Sequence, residues 1–357
     1  MLHFAPPSLR ISSEIGRSPV RGHLSYLDGW RGIAILLVLV GHFAPFAPAL
    51  LAGAGVEFFF VLSGRLMAEI LIVRRSPLPT FLYRRASRIL PALGFYVASM
   101  LVVVAATGAF GSVRDGLIGA AGAIAFFQNY LSEPHASSLF EHTWSLAVEE
   151  HSYLLLALVA GLCVRERRAA IAIALTLALL ACLNGLRLGA TDDGAAPYTY
   201  WRTDVRAAAI FLAFATYLWA QVFFRSRRSD LWRWLSPICA VAGLALFVQS
   251  ALPPSIRFTA GTALLALAVS SVDFAHPAMR RLLDSRVLMG LGIVSFSLYL
   301  WQQPFLMLTR GGVSQIACVT LAIACAIGSY RWIEQPARSC LNRLWETRRR
   351  APAPLAA

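Results

Sequence analysis

The sequence predicts an all-α protein, a polytopic transmembrane helical bundle of about ten spans with both termini cytoplasmic. Three observations carry that expectation. Hydrophobic residues fill 58% of the 357 positions and charged residues only 14%, with a mean hydropathy of +0.63, too few polar groups to solvate the surface of a soluble domain. The hydrophobic residues gather into runs near the length that crosses a hydrocarbon core, about 20 residues of helix. Arginine concentrates in the short connections, so the formal net charge of +14 reads as a topology signal and not as a nucleic-acid footprint.

The runs place spans at roughly 30–47, 56–73, 89–107, 145–163, 169–187, 205–224, 231–250, 258–272, 287–308 and 313–330. A further run near 116–131 decides the topology. If it crosses, the clusters "RERR" (Arg165, Arg167, Arg168) and "RSRR" (Arg225, Arg227, Arg228) face the exterior, against the positive-inside bias. If it is re-entrant or interfacial, they join Arg74, Arg75, Arg84, Arg85, Arg88, Arg280, Arg281, Arg286 and the C-terminal "RRR" inside, and this is the arrangement expected.

Residues 1–24 contain Arg10, Arg17 and Arg21 without an apolar core, so a cleaved signal peptide is not expected and the segment is assigned to the cytoplasm. Residues 25–338 form the membrane domain, and 339–357, ending in "APAPLAA", are expected to be a cytoplasmic tail without order. The connection 189–204, with Asp192, Asp193, Tyr198, Tyr200 and Trp201, then faces the exterior as an aromatic belt or a sugar platform. The six cysteines sit mostly inside apolar runs without CxxC spacing and read as packing residues.

An ionisable group inside a span costs a few kcal/mol or more, so each needs a partner or a task. In the first span, "RGIAILLVLVGH" carries Arg31 and His42. Eleven residues are three helical turns plus about 20°, so both project from one face about 16 Å apart along the axis. They line one groove at two depths, with Gly41 allowing close approach beside His42. The second span carries Glu57, Arg65 and Glu69, and the i,i+4 spacing of the last two suits an internal ion pair. "FLYRRASRILP" puts Arg84 and Arg88 on one face with Arg85 beside them, where guanidinium forks at an interface grip phosphates or merely lipid headgroups. "HTWSLAVEEHSYLL" brings His142, Glu149, Glu150 and His151 to one end of a span, an acid/base constellation. The nine-residue spacing of the two histidines fits no zinc signature, and no metal is expected.

Taken in order, "YLDGWRGIAILLVLVGHF", "GVEFFFVLSG", "FLYRRASRILP", "HTWSLAVEEHSYLL", "SFSLYLWQQPF" and "YRWIEQPARS" resemble the acyltransferase 3 family of membrane-bound O-acyltransferases, over Ser25 to Arg338. The resemblance implies a ten-helix bundle in the cell inner membrane that moves an acyl group, usually acetyl from cytoplasmic acetyl-CoA, onto a hydroxyl of an envelope glycan or related acceptor. Arg31 and His42 match the family's first-span pair, and Arg85 and Arg88 its Arg-x-x-Arg. On that basis Arg31, Arg84, Arg85 and Arg88 are expected to bind the CoA donor. His42 is the catalytic base or a transient acyl carrier, and Glu149 or Glu150 stabilises its imidazolium. Two departures stand out: Arg65 replaces an aromatic or aliphatic residue, and Gln302 and Gln303 follow Trp301 where many relatives have histidine, so neither glutamine is given an acid/base role. The competing reading is a transporter or flippase for a lipid-linked sugar or small metabolite, but the inverted repeats and broken helices of such proteins are not visible.

Overall fold

The computed structural model describes residues 25–131, 138–163, 166–191, 201–226 and 230–350. The expectations for 1–24, for Arg165, Arg227 and Arg228, for Asp192, Asp193, Tyr198 and Tyr200, and for the final "APAPLAA" lie outside them. Among the described residues every regular element is helical and no strand occurs.

In chain order the helices are α1 (Ser25–Phe43), α2 (Leu50–Met67), α3 (Leu78–Thr107), α4 (Val113–Ile124), α5 (Trp144–Leu162), α6 (Arg167–Thr191), α7 (Thr203–Ser226), α8 (Leu235–Val248), the single turn α9 (Pro254–Ile256), α10 (Thr262–Ser271), α11 (Pro277–Leu283), α12 (Arg286–Arg310), α13 (Gln315–Ser329) and α14 (Gln335–Arg350). Among the described residues three π-helical turns interrupt them, at Ala68–Val73, Arg257–Gly261 and Tyr330–Glu334. Eight stretches of the described residues are long and apolar enough to cross a membrane: Ser25–Phe43, Leu78–Thr107, Glu141–Leu162, Arg167–Gly189, Thr203–Phe224, Pro254–Phe274, Arg286–Arg310 and Gln315–Arg349. The expected count of about ten needs α2 and α8 as well. The apolar helix that contains α8 runs only Trp232–Val248, and α2 carries the buried Glu57 and Arg65.

Apolar side chains cover the outside of the bundle: Leu158, Leu179, Val241 and Ile316 are all more than half exposed. In water such a surface would be an aggregation liability; facing lipid it costs nothing. The ambiguous run resolves into α4, whose 12 residues reach about 18 Å, short of a hydrocarbon core of about 30 Å. It ends in a sharp turn with Phe126 at φ 56°. The expected disorder from residue 339 is corrected, because α14 is helical to Arg350. Its residues have partners on α3: Trp345 stacks on Tyr83 at 4.3 Å, and the Tyr83 hydroxyl donates to the Leu341 carbonyl at 2.8 Å.

At the centre α1 packs against α12 and α2. Small residues set this spacing, since without water between helices van der Waals contact holds them together. A Cβ at Gly292 would stand 1.8 Å from the Asp28 carbonyl oxygen, and one at Gly32 would stand 2.1 Å from that of Leu288. Because both obstacles are backbone, the helices would have to separate. Gly292→Val is expected to cost about 1–3 kcal/mol or more, seen as a lower unfolding temperature of the detergent-solubilised protein. Unfolding at the wild-type temperature would show that the two helices are not held this close.

Candidate active site

The first turns of α3 carry arginines on a helix opened by Pro77 and Pro79, and the structure gives each a different environment. Arg84 is the most exposed and reaches Glu346 of α14 at 3.5 Å. Arg85 turns inward, donating from Nε to Glu150 at 2.6 Å and from Nη2 to Glu149 at 3.1 Å, with its guanidinium 3.6 Å from the Tyr153 ring centre. Glu149 also accepts from Ser63 at 2.8 Å and from Tyr153 at 3.2 Å. Arg88 makes no hydrogen bond to a carboxylate among the described residues. It lies within electrostatic reach of Arg31, Arg85, Arg338 and Glu334. Arg31 is paired with Asp28 at 2.9 Å, one turn earlier on α1.

Arg31, Arg85, Arg88 and Glu149 line one cavity of about 100 Å³, with Phe59, Phe60 and Ser63 on α2, and Ser145 and Tyr299 also in its wall. Its size is below that of pockets enclosing a drug-sized ligand, so it suits the reactive end of a long molecule and not the whole of one. An arginine with no hydrogen-bonded carboxylate among the described residues, next to two others, is the feature of this wall that would draw an anion.

His42, near the other end of α1, does not line that cavity. Its Nδ1–H donates to the Gln302 side-chain oxygen of α12 at 2.7 Å. With the proton fixed on Nδ1, Nε2 keeps its lone pair, the form a general base requires. Between the cavity and His42 stand Ser145, Tyr299 and His142. The Tyr299 hydroxyl donates to the His142 backbone carbonyl at 2.7 Å and lies 2.7 Å from the Ser145 hydroxyl. The Tyr299 ring packs 5.4 Å from that of His142. His142 is within electrostatic reach of His42.

The structure therefore separates residues that the sequence grouped. Glu149 and Glu150 face Arg85 and not His42, because their turn of α5 packs at the level of the α3 arginines. His151 is drawn away from His142 and sits 2.8 Å from the Thr203 hydroxyl. Arg65 and Glu69 do not pair, contrary to their spacing. Glu69 lies in the π-helical turn Ala68–Val73, whose wider winding takes it off the Arg65 face. Arg65 instead holds Asp273 at 2.8 Å and Tyr26 at 3.2 Å, and Glu69 accepts from Arg74 at 2.8 Å and from Tyr217.

Several residues of the site went unassigned in the sequence. Asp28 had a signal, an acid three positions before Arg31. Glu334 and Arg338 lie in the last of the quoted motifs, where the π-helical turn Tyr330–Glu334 brings them to Arg88. Gln302 stood out only as a departure from the family pattern, and its contact with His42, joining residues 260 apart, was not legible. Among the described residues no three His, Cys, Asp or Glu side chains converge as a metal site would require.

A family model described as an acyltransferase domain, that of acyltransferase 3, matches residues 24–330. The peptidoglycan O-acetyltransferase OatA of Listeria monocytogenes serovar 1/2a is 28% identical over 358 residues, covering 89% of this chain and 56% of that protein. The O-acetyltransferase OatA of Staphylococcus aureus strain NCTC 8325 is 26% identical over 351 residues, covering 88% and 57%. YrhL of Bacillus subtilis strain 168 is 27% identical over 354 residues, covering 88% and 54%. The chain thus spans about half the length of the curated relatives it matches. No solved structure matches.

Proposed function

The chain belongs to the acyltransferase 3 family, and from that membership we propose that it is a membrane O-acyltransferase. It moves an acetyl group from acetyl-CoA onto a hydroxyl of peptidoglycan or a related envelope glycan. The names of the relatives from Listeria and Staphylococcus supply the reaction class and, for the former, the acceptor. The observation that carries the reading is the cavity wall with Arg88, hydrogen-bonded to no described carboxylate, at one end and, beyond Tyr299, the oriented imidazole of His42.

In this reading α2 and α8 cross with the eight longer stretches, both termini lie in the cytoplasm, and the protein resides in the inner membrane. The donor's phosphates rest on Arg88, with Arg31 and Arg338 adding positive charge. Arg85 carries two carboxylates already, so its task is to hold the wall of the cavity. Arg84, bound to Glu346 in the open, contributes little. The arm of the donor enters the cavity, and its thioester passes the Tyr299 and Ser145 side of the wall toward the imidazoles.

His42 Nε2 takes the proton of the acceptor hydroxyl as its oxygen attacks the thioester carbon. When the carbon–sulfur bond breaks, the thiolate recovers that proton, leaving an O-acetyl ester and CoA with a free thiol. Gln302 keeps the imidazole in the reactive tautomer throughout.

The test is transfer of labelled acetyl from acetyl-CoA to glycan by membranes carrying the protein. Arg88→Ala is expected to raise the KM for acetyl-CoA about tenfold or more, the size of a lost hydrogen bond to a charged group, while Arg84→Ala leaves it near wild type. Equal values in both variants would return Arg88 to a topology signal. A transporter would move its cargo without releasing CoA, so acceptor-dependent CoA release separates the two classes.

A further inference from the structure

The bundle contains buried donors that the proposed chemistry has not yet used. His142 is 6% exposed, and neither of its ring nitrogens has a hydrogen-bond partner among the described residues. A neutral imidazole always carries one N–H, so at least one donor there is idle. Gln302 is fully buried, and its amide nitrogen is likewise without a partner while its oxygen holds His42. Each idle buried donor costs about 1–3 kcal/mol. Two of them beside one catalytic candidate call for an acceptor that arrives with the substrate.

We propose that His142 and Gln302 form an oxyanion hole beside His42, donating hydrogen bonds to the oxygen of the acyl thioester as it becomes a tetrahedral anion. The inference rests on the acyl-transfer reading and gives it the donors it lacks. The geometry is fixed in advance, as such stabilisation requires. The His142 ring is wedged between Tyr96, 5.5 Å away and edge-on, and Tyr299 at 5.4 Å. Its backbone carbonyl is tied to the Tyr299 hydroxyl, and Tyr299 and Ser145 line the cavity. The donors therefore lie where the cavity ends and His42 begins. In the addition step the hydroxyl oxygen bonds to the thioester carbon, its proton passes to His42 Nε2, and the carbonyl electron pair moves onto the oxygen facing His142 and Gln302. In the collapse step that pair re-forms the carbonyl, the sulfur leaves with its bonding electrons, and it takes the proton from His42. A second base is the weaker reading of His142, because no described group fixes which of its nitrogens carries the proton.

The test uses His142→Phe in the full-length protein, which keeps the ring packed on Tyr96 and Tyr299 and removes the N–H. Removal of one oxyanion donor lowers kcat about 10²–10³-fold, and the KM for acetyl-CoA is expected to stay near wild type. A second readout compares acetyl-CoA with its dithioester analogue, whose carbonyl sulfur is a poor hydrogen-bond acceptor. Wild type should prefer the oxygen compound strongly, and the variant should lose most of that preference. If His142→Phe does not accumulate, Gln302→Met carries the same comparison. Loss of His42 orientation slows both donors alike, whereas loss of the oxyanion contact compresses their ratio. A variant with wild-type kcat, or one slowed with the preference intact, overturns the oxyanion hole. A wild-type protein that transfers no acetyl overturns the acyl-transfer reading and this inference with it.

Discussion

Membranes carrying His42→Ala should transfer labelled acetyl about 10²–10⁴-fold more slowly than wild type, the span of a missing general base. The expectation rests on the tautomer. Nδ1–H is committed to Gln302 at 2.7 Å, so the lone pair of Nε2 is the one proton-accepting position the ring offers. Alanine removes both the base and the anchor of Gln302, leaving an acceptor hydroxyl with no group to take its proton. The loss should fall on kcat, because in the proposed reading the donor's phosphates rest beside Arg31, about 16 Å from His42 along α1 by the helix rise. Unimpaired transfer would remove His42 from the mechanism. A loss confined to the KM for acetyl-CoA would instead make it a binding residue.

This placement shows what the sequence makes legible. Spans and charges were readable because the bilayer penalises every intramembrane arginine or carboxylate, so Arg31, His42, Glu57 and Arg85 announce themselves by cost alone. Partners were not readable. Helical periodicity says which residues share a face, but not which helix stands opposite, and Arg85 meets Glu149 across 64 residues. Local spacing failed where winding changes, as at Glu69 in its π-helical turn. The two expected spans that fall short by length or apolarity are those that spend residues on other tasks. α2 is rich in buried polar groups, and α8 follows a 3₁₀ turn at Asp230–Trp234.

The site also explains why so polar a set of side chains is tolerated inside the bundle. Arg85 with its two glutamates, and Arg65 with Asp273 and Tyr26, each have an acidic partner inside the bundle. Arg88, with no hydrogen-bonded carboxylate among the described residues, and the partnerless nitrogens of His142 lie at the two ends of the path a donor would take. Charges that are satisfied internally hold the helices in register; those left over are where a substrate supplies the missing partner.

Glu57→Ala is expected to have the largest effect on stability, about 3–5 kcal/mol, because it strands Arg206 inside the bundle. The two side chains form an ion pair that is 1% and 6% exposed, and Thr262 donates to the same carboxylate. Rings near the guanidinium, Phe258 at 4.0 Å and Phe60 at 5.5 Å, offer about 0.5–2 kcal/mol, too little to replace a carboxylate. Removing both charges, in Glu57→Leu with Arg206→Met, should restore most of the loss, since no buried charge then lacks a partner. Thermal unfolding of the solubilised protein, followed by tryptophan fluorescence over the full cycle, measures each step. If the single variant unfolds at the wild-type temperature, Arg206 has found water and the pair is not buried. Because Phe60 also lines the cavity proposed to take the donor, a stranded Arg206 that moves should disturb that wall, so the single variant is expected to bind acetyl-CoA more weakly and the double variant to recover it.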